Sequence, residues 1–375
     1  MDISFRLDPE TIIGTDTLSM AGTICSRYGN RLMVAADHDL DSQYVKRLKD
    51  ILEDSGIETI IFDGIQEDSG VDMADNIVEL CRAAHCSAVL GFGGPKTQTI
   101  ARMTAIMAPM RVSSFELLDG RKFKNKFLPF IAIPTAGIDT FLFSDFFAVV
   151  DPRDRLVRTI ASPEKLCAAL IVDSNLSFSL SGNAAAVFIF EGLCNTIEAY
   201  CSTRTNFFSD ALLERALFFF IKMLKGGSEN IDAENIAQAD FLSSMGLALS
   251  SPGIGAALPL AINARSPIPK QNAAAALLPF LTEKLAAARP EKIARVASFF
   301  GNTKGASVAE SANSSVDAVR RCMDSLGVKP SLKEFNVSLD RLMAAAESAR
   351  CLEFVSNSPW IVSQEDLFSI LKQIL

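Results

Sequence analysis

The strongest constraint on the fold is a change of periodicity near residue 181. Before it, short apolar runs alternate with segments of helical spacing. After it, nearly every segment is Ala/Leu-rich with a helix period. Arg31–Ala36, Thr59–Phe62, Ser87–Gly91 and Phe130–Ile133 have strand length, and helical patterns over 41–55, 71–85 and about 97–107 separate the first three and follow the third. Continuous apolar strands joined through helices predict a mostly parallel sheet covered on both faces, because parallel neighbours require a crossover. The later segments 184–201, 208–225, 234–249, 271–289, 291–300, 306–326, 338–352 and 365–374 predict helices. Ser251-Pro-Gly253 and Arg265-Ser-Pro-Ile-Pro269 break that series. The expected architecture is an α/β N-terminal domain, 1–181, and an all-α C-terminal domain, 182–375, with a cleft between them as the expected ligand site.

Composition narrows the class further. A net charge of −8, with no basic run among the 36 Lys and Arg, argues against nucleic acid or an anionic membrane as partner. Apolar runs such as Ala211–Met223 are too short to span a bilayer and carry charges. The start Met1-Asp2-Ile3-Ser4 lacks a basic segment followed by an apolar one, and the eight cysteines form no CxxC pair. Reduced thiols and a cytoplasmic location are the expectation.

Glycines follow the third predicted strand as Gly91-Phe-Gly-Gly-Pro-Lys-Thr97, just before a helix. Such a turn lets backbone approach a pyrophosphate and offers it a positive helix end, although a plain tight turn has the same pattern. Asp37 ends the first predicted strand. It suits the hydroxyls of an adenosine ribose, or serves as a helix cap or solvated carboxylate.

Taken in order, these segments resemble the iron-containing (group III) alcohol dehydrogenases, which include glycerol dehydrogenases and are related to dehydroquinate synthase-like enzymes. Gly91-Phe-Gly-Gly-Pro-Lys-Thr-Gln-Thr-Ile-Ala-Arg102 is similar to the family's cofactor turn, and Ile133-Pro-Thr-Ala-Gly137 to its segment along the dinucleotide. Ile171-Val-Asp-Ser-Asn-Leu176 resembles the lead into the helical domain. Glu191-Gly-Leu-Cys-Asn-Thr-Ile-Glu-Ala-Tyr200 resembles the metal-helix signature, and Ser209-Asp-Ala-Leu212 and Leu277-Leu-Pro279 complete the series. The resemblance implies a Rossmann-like dinucleotide domain joined to a helical domain. It also implies NAD as cofactor and hydride transfer to or from a small alcohol, aldehyde or ketone. Gly93, Gly94, Lys96 and Thr97 would hold the pyrophosphate, Thr135 and Leu180 would flank the adenosine, and Asp37 would favour NAD over NADP by repelling a 2′-phosphate.

The departures fall on the metal. The family pattern implies an Asp and a His four residues apart on one helix, then two later histidines. Here Glu191 and Asn195 stand at the first two positions, and Leu258 and Lys270 at the later two. No histidine follows His85. An ammonium and one amide do not serve a divalent ion, so catalytic Fe or Zn is expected to be absent. Pro95 also removes one N–H from the turn, and Thr99 stands where the family has an acid.

Three candidates for the reacting end follow: Glu191, Asn195 and Lys270. Lys270 and Glu191 are placed to meet across the rewritten pocket. The ammonium would then polarise a carbonyl, or the pair would simply seal the pocket. Cys194 reads as an inert core thiol, His38 as a solvated loop residue, and His85 as a helix-closing residue. The aromatic stretch Phe141–Phe147 reads as core, or as lining near the nicotinamide. The expected activity is a metal-independent oxidoreductase, with a non-catalytic nucleotide-binding or structural homologue as the alternative. The expected partners are a small-molecule substrate and a second copy of the chain in a homodimer.

Overall fold

The structure, a computed structural model, describes residues 8–66, 69–122, 126–135, 137, 139–176, 183–227, 231–301 and 307–375. The chain divides into two compact units. Met1–Pro152 and Thr159–Ser179 form the first, and Arg153–Arg158 and Leu180–Leu375 the second.

The first unit contains a six-stranded sheet in which every observed pairing is parallel. Its strands are β1 (Glu10–Gly14), β2 (Arg31–Asp37), β3 (Glu58–Ile65), β4 (Ala88–Gly93), β5 (Phe130–Pro134) and β8 (Cys167–Asp173), in the order β1-β8-β5-β4-β2-β3. Helices α1 (Ala21–Cys25), α2 (Ser42–Asp54), α3 (Met73–Ala83), α4 (Pro95–Met107) and α5 (Ser114–Leu118) intervene. The inner strands β4 and β5 are buried at every position, which explains why they lack polar alternation in the sequence. On one face Leu18, Ile24, Leu48 and Leu52 pack with Leu32, Val34, Leu90 and Ile131 of the sheet.

The sheet is larger than the sequence reading anticipated. Strands β1 and β8, and a two-stranded ribbon of β6 (Phe146–Asp151) and β7 (Leu156–Ala161), were not predicted. The aromatic stretch at 141–147 therefore ends in a strand. Phe141 and Phe147 are buried there, as the core reading expected.

Helix α4 is enclosed from Ile100 to Met107. Its polar groups must therefore be satisfied inside the protein. The Arg102 guanidinium pairs with Asp139 Oδ2 at 2.6 Å, donates to the Phe141 carbonyl at 3.2 Å, and lies 4.9 Å from the Phe147 ring centroid. Thr104 Oγ1 donates back to the Ile100 carbonyl at 2.9 Å.

The second unit is helical: α6 (Asn183–Cys201), α7 (Phe207–Lys225), α8 (Ala233–Leu249), α9 (Ile254–Arg265), α10 (Lys270–Ala288), α11 (Pro290–Phe300), α12 (Val308–Ser325), α13 (Leu339–Arg350) and α14 (Gln364–Ile374). Eight of these follow the predicted segments closely. Helix α9 was not predicted, because Pro252-Gly253 precedes it, Pro259 lies inside it and Pro267 follows it. No single helix among the described residues is long and apolar enough to cross a membrane.

Removing the carboxylate of Asp139 strands a buried guanidinium. Asp139→Ala is expected to cost about 3–5 kcal/mol, read as a lower urea midpoint. An unchanged midpoint would mean the pair contributes nothing to stability.

Candidate functional site

Two constellations emerge, one in each unit. In the first, the carboxyl ends of three neighbouring strands bring together Asp37 from β2, Gly93 and Gly94 from β4, and Thr135 beside β5. The connection from β2 leads outward to β3, whereas that from β4 leads to β5 on the other side. The gap between β2 and β4 is thus a topological switch point, where open α/β sheets bind ligands.

The turn is assembled from both sides. Gly94 N–H donates to Asp37 Oδ2 at 2.7 Å, and the Thr97 hydroxyl donates to Asp37 Oδ1. A Cβ on Gly93 would lie 2.5 Å from the Asp37 carboxyl carbon, so only glycine permits this approach. Burial pushes the Asp37 carboxyl above its ordinary range, against the opposing pull of the Thr97 and Gly94 hydrogen bonds. The acid expected to face a ribose is therefore engaged with the glycine turn itself. Each carboxylate oxygen has a second lone pair available for a hydroxyl donor.

Gln98 was overlooked in the sequence. It is 1% exposed, and its amide Nε2 reaches the carbonyls of Gly91, Gly93 and Ile133 at 3.0, 3.0 and 3.2 Å. It ties β4 to β5, while Thr135 N–H donates to the Gly93 carbonyl at 3.2 Å. Only the tertiary fold gives a buried glutamine these three acceptors. Lys96 is the second residue of α4, after Pro95. Thr99 turns its hydroxyl back to the Pro95 carbonyl at 2.9 Å. Leu180 lies outside the described residues. His38 is exposed with Nδ1 3.3 Å from the Asp63 carbonyl, and His85 is the left-handed residue (φ 54°) after α3.

In the second unit, Glu191 and Asn195 lie one turn apart on α6, and Lys270 is the first residue of α10. Lys270 Nζ stands 3.0 Å from Glu191 Oε1, so two of the three candidates meet. Asn195 is buried, and its Oδ1 has no hydrogen-bond partner among the described residues. Leu258 is fully buried on α9.

One turn beyond Asn195 is Glu198, a second residue the sequence reading missed. It is 2% exposed, and its Oε2 accepts from Gly255 N–H at 2.6 Å, at the amino end of α9. Gly253 is required there, because its Cβ would lie 2.5 Å from the Glu198 carboxyl carbon. Burial raises the Glu198 pKa from its ordinary 4.5 to about 7, against the opposing hydrogen bonds from Gly255 and Ile254. Oε1 has no partner among the described residues. Cys194 is buried, and burial holds its thiol well above the ordinary range, which makes it inert.

The donors at the four family positions are one carboxylate, one amide, one ammonium and one alkyl group. The carboxylate is already paired with the ammonium, so this set does not fit a divalent ion. Among the described residues no group of three or more His, Cys, Asp or Glu side chains is arranged to hold a metal.

Comparison with known proteins identifies the scaffold. Residues 9–174 match the family model for iron-containing alcohol dehydrogenase, and residues 189–375 match that for the C-terminal part of the Fe-containing alcohol dehydrogenase family. The chain belongs to the iron-containing alcohol dehydrogenase family. Among its relatives, the 1,3-propanediol dehydrogenase of Citrobacter freundii is 23% identical over 370 residues, covering 96% of this chain and 95% of that one. The NAD-dependent methanol dehydrogenase of Bacillus methanolicus is 22% identical, covering 99% and 100%. A crystal structure of a 1,3-propanediol oxidoreductase superposes with a TM-score of 0.91 at 22% identity, covering 98% of each chain. That of sulfoacetaldehyde reductase from Bifidobacterium kashiwanohense in complex with NAD+ gives 0.86 at 18% identity, covering 100% and 99%. The scaffold is that of an alcohol dehydrogenase-type oxidoreductase.

Glu198 adds a pH dependence. Its folded pKa lies above its unfolded one, so its contribution is fully present below about pH 4.5 and is lost as the pH rises toward 7. Across that window the protein is expected to lose up to about 3 kcal/mol relative to Glu198→Gln. Parallel urea titrations of the two from pH 4.5 to 7.5 check this, and stability curves with the same slope would remove Glu198 as a buried titrating group.

Proposed function

We propose that the chain transfers hydride between NAD(H) and a small alcohol, aldehyde or ketone without a catalytic metal ion. The observation that carries this reading is the ion pair between Lys270 and Glu191, at two positions where the family resemblance implies metal ligands. A fixed cation remains there, but it is an ammonium.

The first unit supports the cofactor assignment through a glycine turn that opens a 13-residue helix. Gly93 and Lys96 would hold the pyrophosphate, with Thr135 alongside, and Gly94 and Thr97 would join them on release of their hydrogen bonds to Asp37. The Asp37 carboxylate disfavours a 2′-phosphate and therefore NADP. When bound, the nicotinamide supplies or accepts the hydride. The relative from Bacillus methanolicus is described as NAD-dependent, which supports the same choice.

On the protein side, Lys270 would donate a hydrogen bond to the substrate oxygen as negative charge builds during carbonyl reduction. It holds a proton that can pass to that oxygen. Glu191 orients the ammonium from 3.0 Å away. Asn195 offers an amide for a second polar contact with the substrate. The natural partner is a small-molecule substrate, handled by a cytoplasmic homodimer.

The decisive experiment is calorimetric titration of metal-stripped protein with NADH, with and without Zn2+ or Fe2+. NADH binding indifferent to metal is expected, and no binding in either condition would overturn the dehydrogenase reading. Given an active substrate, Lys270→Met is expected to lower kcat about 10²-fold or more, the scale of losing one charge-stabilising donor. Unchanged turnover would remove Lys270 from the chemistry.

A further inference from the structure

Away from both constellations, the carboxyl end of α3 brings two cysteines together. The helix closes with His85 in the left-handed region, and Cys86 N–H donates back to the Cys81 carbonyl at 3.0 Å. That is the six-to-one hydrogen bond of a Schellman motif, which sets the side chains of its first and last residues against each other. Here both are thiols. The backbone bond thus sets the Cys81 and Cys86 side chains side by side at the end of α3.

A direct backbone hydrogen bond between the two residues holds their Cα atoms close to the roughly 4.4–6.8 Å spacing that disulfides use. We propose that Cys81 and Cys86 are a dithiol–disulfide pair, a modification site that closes across the carboxyl end of α3. The proposal is independent of the hydride-transfer reading.

The surroundings divide the labour between the two sulfurs. Cys86 is 8% exposed and Cys81 1%. Arg31 Nη1 donates to the Ala84 carbonyl at 2.8 Å, which brings its guanidinium to this turn. The neighbouring Cys81, assisted by Arg31, lowers the Cys86 pKa against burial, while Cys86 and burial raise that of Cys81. By contrast, burial alone acts on Cys25 and pushes its thiol up to about 12. Cys86 is the attacking thiolate and Cys81 the resolving thiol.

With glutathione disulfide as oxidant, Cys86 sulfur attacks one sulfur of its S–S bond and expels a glutathione thiolate. Cys81 then attacks the Cys86 sulfur, loses its proton to solvent and expels the second glutathione. Two protein thiols are oxidised, and one glutathione disulfide is reduced to two glutathione molecules. Cys86 precedes β4, whereas the glycine turn follows that strand, so the pair and the proposed cofactor site lie at opposite ends of β4.

The test uses the full chain, treated with glutathione disulfide, thiol-blocked and digested with trypsin without reduction. Cleavage after Arg82 separates the cysteines into peptides 50–82 and 83–96, each with a single cysteine. The expected result is that these two peptides are recovered joined, lighter by two hydrogen atoms than their sum, from a chain that still migrates as a monomer on a non-reducing gel. Cys81→Ala should instead trap a glutathione adduct on 83–96, and Cys86→Ser should abolish the joined product. Recovery of 83–96 from the unsubstituted protein unlinked, whether blocked or carrying glutathione, would overturn the proposal.

Discussion

Burial of helix α4 is the constraint on which the α/β unit turns. A helix enclosed along two of its turns keeps water from its polar side chains, so their donors bind protein, while Gln98 Oε1 has no partner among the described residues. Gln98 binds three carbonyls at the ends of β4 and β5, and Arg102 binds Asp139 and the Phe141 carbonyl. These bonds fasten the strand ends that carry Gly93 and Thr135. The buried helix thereby anchors the strand ends that frame the glycine turn. Asp37 completes it from β2, with a carboxylate at the positive end of the helix.

The helical unit solves a related problem differently. Its signature helix α6 presents four polar residues within two turns: Glu191, Asn195, Thr196 and Glu198. Thr196 binds the Gly192 carbonyl and pairs with Ser243, and Glu198 caps α9. Glu191 takes its counter-charge from Lys270 at the start of α10, where an ammonium opposes the helix dipole. That cost is offset by the carboxylate 3.0 Å away. Asn195 Oδ1 and Glu198 Oε1 are left without a hydrogen-bond partner among the described residues. A scaffold whose family is named for iron thus carries an ion pair where the resemblance implies ligands.

Periodicity and motif order determined the α/β-then-helical arrangement, the glycine turn and the eight predicted helices, and the family resemblance placed Glu191 and Lys270 at one pocket. Local spacing encodes helices directly, and residues four apart share a face wherever the helix ends up. Strands β1 and β8 pair with each other across more than a hundred residues of chain, which no local pattern signals. Helix α9 was hidden by prolines that its packing tolerates. What only the tertiary structure decided is where side chains find their partners: Asp37 at the glycine turn, Gln98 across two strand ends, Glu198 at the start of α9 and Cys81 against Cys86. Those contacts depend on burial and on elements brought together from distant sequence, which no local pattern of residues specifies.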